Sequence, residues 1–66
     1  MTKNMLRAIL EDESWVVTVR RIDTQAPGTV VAYVDVANDA DLEYVYERVQ
    51  VLRDKMPVGI WLEVRP

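Results

Sequence analysis

The side chains able to do chemistry in this 66-residue chain are few. Histidine and cysteine are absent, and Ser14 is the one serine. No Ser-His-Asp triad, Cys-His pair, disulfide framework or zinc cluster of Cys and His can be built. No Gly-rich phosphate loop exists either, since the glycines are Gly28 and Gly59 alone. Carboxylates, amines, phenols and guanidinium groups remain. Asp39-Ala40-Asp41-Leu42-Glu43, with Asp35 upstream, places oxygen ligands at alternate positions as part of a calcium loop does. It lacks the glycine of the sharp turn and the distal bidentate glutamate. A helix start explains the same acids, because the positive end of a helix favours carboxylates. Glu11-Asp12-Glu13 has the groups for general acid-base work but no second functional group beside it, so it reads as solvated linker charge. Arg20-Arg21 has the donors to grip a phosphate or carboxylate. On a regular strand the two point to opposite faces and cannot clamp one group together. Cross-strand pairing with Asp35 or Glu63 is the expectation. Neither enzymatic activity nor a cofactor or metal is expected.

The elements that position these residues are legible in the spacing of apolar side chains. Leu42, Val45, Tyr46, Val49, Leu52 and Met56 recur at three- and four-residue steps, which predicts a helix from Asp39 to Met56. Asn38 or Asp39 can cap its start, and Pro57 forbids its continuation. Val58 to Val64 alternates: Val58, Ile60, Leu62 and Val64 point one way, Gly59, Trp61 and Glu63 the other. Thr29 to Val36 does the same, with Val30, Ala32, Val34 and Val36 on one face and Thr29, Val31, Tyr33 and Asp35 on the other. Strand, helix and strand make a βαβ unit with parallel strands and a right-handed crossover. Upstream, Trp15 to Ile22 reads as a further strand, joined to the next through Asp23–Gly28 as an antiparallel hairpin. Its inward face is open: Trp15, Val17 and Val19 compete with Val16, Thr18 and Ile22. Met5 to Leu10 fits a short helix with Leu6, Ile9 and Leu10 on one side. The expected fold is α+β, in the order α-β-β-α-β. Two helices lie on one face of a three-stranded mixed sheet, in one domain over residues 1–66.

If the even-numbered faces pack on the helices, the odd faces present Val31, Tyr33 and Trp61 on the far side, beside Arg20. Large aromatics on an uncovered sheet face suit a protein interface. Base stacking would suit them too, but eight basic residues against eleven acidic ones give a net charge of −3, and nucleic-acid grooves want a basic stripe. No nucleic-acid partner is expected. No run of about 18 apolar residues exists, so no membrane span is expected. The N-terminal stretch lacks the apolar core of a signal peptide, and the expected location is cytoplasmic. A chain this short, without disulfide or metal, commonly gains stability by association. The expected partner is therefore protein: a homo-oligomer, or a larger assembly of which this chain is a subunit.

The order of short helix, strand, Ala26-Pro27-Gly28-Thr29-Val30, strand ending Tyr33-Val34, helix, and Met56-Pro57-Val58-Gly59-Ile60 into a last strand resembles the α-β-β-α-β module of phage baseplate J-like proteins. These are wedge components of contractile tails. In that family a Pro-Gly-Thr-Val stretch opens one strand and a Pro-x-Gly stretch opens the strand after the helix. Members are several times longer, and their helix usually ends in Arg-Pro, where this chain has Met56-Pro57. The resemblance implies a structural, assembly-type role in the host cytoplasm or virion, and supplies no catalytic residues. Two other roles fit the composition. One is a small acidic inhibitor docking on a host enzyme, which needs Glu11, Asp12, Glu13, Asp39, Asp41 and Glu43 on one face. The other is a small-molecule binder or enzyme with an inter-subunit site.

Overall fold

Thr2 sets the first helix: its hydroxyl accepts from the Met5 N–H at 3.1 Å and caps α1 (Lys3–Glu11). Leu6 and Leu10 are buried on its inner side and Ile9 is half-buried, as the expected face requires. In the computed structural model, which describes residues 1–65, α1 is followed by β1 (Val16–Ala26), β2 (Thr29–Val36), α2 (Leu42–Lys55) and β3 (Ile60–Arg65). Pro66, which the expected 1–66 domain includes, lies outside the described residues. The sheet order is β1-β2-β3, antiparallel between the first two and parallel between the last two. The fold is thus α+β, two helices and a three-stranded mixed sheet. Both helices contribute to one buried cluster with the inward residues of the sheet.

β1 departs most from expectation. It runs four residues past Ile22, so the connection to β2 shrinks to Pro27-Gly28, with Gly28 at φ +79° as the third position of a Pro-Gly turn demands. Polar Asp23 and Thr24 extend as strand because Val31 and Val30 of β2 lie alongside, and Gln25 bulges out before Ala26 pairs with Thr29. The pairing slips between Val16 and Thr18, between Val19 and Arg21, and between Thr24 and Ala26. Each slip is a bulge, one extra residue against a single partner. Val16, Val19 and Ile22 therefore reach the core at intervals of three, opposite Val36, Val34 and Ala32. Neither alternating set expected from the sequence survives, and Val17 is left exposed.

α2 starts later than its spacing suggests. Asp41, not Asn38 or Asp39, is the cap: its Oδ1 accepts from the N–H groups of Glu43 and Tyr44 at 3.1 and 3.3 Å. It ends where Pro57 forces Met56 into extended geometry, φ −94° and ψ 156°. Val45 and Leu52 are buried beneath it, while Leu42 and Tyr46 of the same expected stripe are exposed. β3 begins at Ile60, two residues after the expected Val58, because Gly59 must first turn the chain at φ +97°. The Gly59 carbonyl then accepts from the Val30 N–H at 2.8 Å and fastens β3 to β2. No described helix is long and apolar enough to cross a membrane.

Candidate interaction surface

The outer side of the sheet is formed by the odd residues of β2 and β3 and by the bulged part of β1. Tyr33 stands beside Glu63, and Val31 beside Trp61, in the parallel pairing. The expected set Val31, Tyr33 and Trp61 therefore shares one face, with Arg20 on the far strand. Val31 and Tyr33 are half-buried by their neighbours, and Trp61 remains 50% exposed.

The bulge after Val19 corrects one expectation. Arg20 and Arg21 do not point to opposite faces, since Val19 and Ile22 on either side both point inward. A bulge re-aims a side chain in this way. Both guanidinium groups lie on the outer side and, with Tyr33 and Arg65, line a shallow cavity of about 230 Å³. Arg20 Nε meets Asp35 Oδ2 at 2.7 Å, the expected cross-strand pair. Arg21 Nε instead meets Asp23 Oδ2 on its own strand at 2.9 Å. The Arg21 guanidinium also lies 4.6 Å from the centroid of the Tyr33 ring, and Arg53 of α2 lies 4.7 Å from that of Trp61. Each aromatic ring thus carries a cation over one face. Arg65 shares the odd face of β3 with Trp61, and Arg53 of α2 is the member of this set that no spacing announces. The bulge turns Arg21 to this side, and Arg53 reaches Trp61 from α2 by its long side chain.

The carboxylates do not converge. Asp35 is held by Arg20 and Asp41 caps α2, and among the described residues no three acidic side chains come together as a metal site. Glu11 and Asp12 are exposed, as a solvated run should be, but Glu13 is not. Its Oε1 and Oε2 accept from Arg48 Nε and Nη2 at 2.9 and 3.1 Å, and Oε1 also accepts from the Trp15 indole N–H at 2.9 Å. This bidentate pair joins the α1–β1 connection to α2 across thirty-five residues. Glu13 is thereby withdrawn from the single acidic face that a phosphate mimic needs.

The Arg48 guanidinium holds the Glu13 carboxyl below the usual carboxylate range. Partial burial opposes the shift, and the Trp15 N–H adds to it. A folded-state value below the unfolded one stabilises the fold above the unfolded pKa of about 4.3 and fades as pH falls through the folded value. Glu13→Gln keeps the shape and loses the charge. Urea midpoints of the wild type should therefore fall more between pH 6 and pH 3 than those of Glu13→Gln. Equal falls would mean the pair contributes nothing to acid stability.

Comparison of the chain with protein-family models, with curated proteins and with solved structures finds no match.

Proposed function

We propose that this chain is a non-enzymatic assembly or interaction protein that works through the uncovered side and edge of its sheet. The observation that carries the reading is Trp61, half exposed on the outer side of the sheet beside Val31 and Tyr33, with Arg53 of α2 over one face of its ring. An indole in that position is the type of side chain that anchors protein interfaces. Arg20 and Arg21, held in place by Asp35 and Asp23, give the same face donors at its rim. The two cavities that touch it, about 260 Å³ beside Trp61 and about 230 Å³ beside Tyr33, are smaller than the sites of about 300 Å³ and more that small ligands occupy. A role in assembly is also what the resemblance to phage baseplate J-like proteins implies, and the reading has the protein working in the cytoplasm or in a virion.

Sedimentation velocity on the protein alone, together with capture of partners from a lysate, tests it. Trp61→Ala should weaken association at least about tenfold, as loss of an aromatic anchor does. Its melting temperature should stay close to that of the wild type. A wild type that stays monomeric and captures nothing, or association indifferent to both Trp61→Ala and Tyr33→Ala, would sink the reading.

A further inference from the structure

The inner layer is unfinished beyond β3. On β2 the inward residues Ala32, Val34 and Val36 are buried, whereas on β3 Ile60, Leu62 and Val64 are each only half-buried. Two contacts show which side of α2 overlooks this edge. Arg48 reaches Glu13 in the α1–β1 connection, and Arg53 lies over Trp61 on β3. At about 3.6 residues per turn, Leu42, Tyr46 and Val49 fall on the same side of the helix as Arg53. Leu42 is 46% and Tyr46 62% exposed, and Val49 is half-buried. The apolar stripe of α2 is wider than this molecule covers, and its surplus overhangs the open edge of β3.

The two edges of the sheet differ. The pairing of β1 slips at three places, and bulges blunt an edge against strand addition. β3 pairs with β2 without a slip from Ile60 to Arg65, so its free edge is regular. We infer that this edge receives a second copy of the chain, its β3 antiparallel to this one about a twofold axis, with the two α2 stripes meeting above the join. The inference rests on the assembly reading and names its partner.

The sequence of β3 suits its own reverse. Residues directly opposite in an antiparallel pair share a face, and two registers keep all but one residue of β3 paired. An axis at Glu63 sets two carboxylates against each other, which is unfavourable. An axis at Leu62 sets Leu62 against its counterpart, Ile60 against Val64 and Trp61 against Glu63, and continues the apolar row through both copies. Closed twofold pairs are the commonest oligomers, and a short chain that can form no disulfide gains stability from one.

Sedimentation equilibrium should show a dimer whose dissociation constant rises about 100-fold in Tyr46→Arg. The melting temperature of the variant, read at low concentration, should stay near that of the monomer because Tyr46 is exposed. The chain has no cysteine, so Leu62→Cys introduces the only thiol. Mild oxidation should link it as a covalent dimer, since its Cβ atoms fall near disulfide range in this register. Glu63→Cys should stay unlinked. A wild type monomeric at about 1 mM, or cross-linking through Glu63→Cys rather than Leu62→Cys, overturns the inference. A dimer that survives Tyr46→Arg but is lost in Tyr33→Ala overturns it too, while leaving association through the outer face intact. A monomer that captures a different protein through Trp61 does the same.

Discussion

Gly59→Ala should cost about 4 kcal/mol of folding stability. For a chain of this length the total is about 3–10 kcal/mol, so the variant should be largely or wholly unfolded at room temperature. Two separate penalties combine. Gly59 holds φ +97°, a left-handed geometry that costs a Cβ-bearing residue about 1–2 kcal/mol. A Cβ there would also run into the carbonyl oxygen of Gly28, with the Thr29 Cα behind it. Those atoms are backbone, and they belong to the turn that starts β2, so they cannot swing aside as a side chain would. Gly28 provides the control. It is left-handed as well, at φ +79°, but a Cβ there meets nothing. Gly28→Ala should therefore cost about 1–2 kcal/mol, and the difference between the two urea midpoints measures the close approach alone. Equal losses would show that the two turns do not touch.

Leu10→Ala should cost about 3 kcal/mol, within the range for a leucine removed from a packed interior. Leu10 is 0% exposed and sits in the one cluster that both helices share with the sheet. The chain around it has few means to collapse into the gap. α1 is pinned by Arg7, whose guanidinium donates to the Val19 carbonyl at 2.9 Å. Urea unfolding at constant m-value would establish the loss as one of stability. A cost below about 1 kcal/mol would mean that α1 frays away from the sheet in solution and that Leu10 spends little time buried.

The parts of this fold that could be read ahead are those where a local rule acts alone. Pro57 ends α2 because no tertiary contact can restore its missing N–H, and the even residues of β2 face the core because nothing interrupts their alternation. The parts that could not be read depend on choices between equal local options. Asn38, Asp39 and Asp41 are all competent caps, and only the path of the chain from Val36 into α2 selects Asp41. The inward face of β1 was undecidable because bulges turn a period of two into intervals of three, a spacing that carries no strand signal. The same slips put Arg20 and Arg21 on one side. Of the candidate surface, Val31, Tyr33 and Trp61 followed from alternation. Arg65 follows from the same alternation on β3, and Arg53 joins them through the reach of its side chain from α2 to Trp61. The pairing of Glu13 with Arg48 spans thirty-five residues, and neither position announces the other.

The three slips in β1 also decide how far this sheet can grow. Amyloid-like stacking needs a template on both flanks, so that each newcomer offers the next one a place to land. Here one flank is spoiled by Val17, Arg20 and Gln25, each without a partner across the ladder. A molecule arriving at the other flank turns its own spoiled border outward. Accretion then halts after a single step, and concentrated solutions should stay clear of fibrils even though a bare hydrogen-bonding border is on offer.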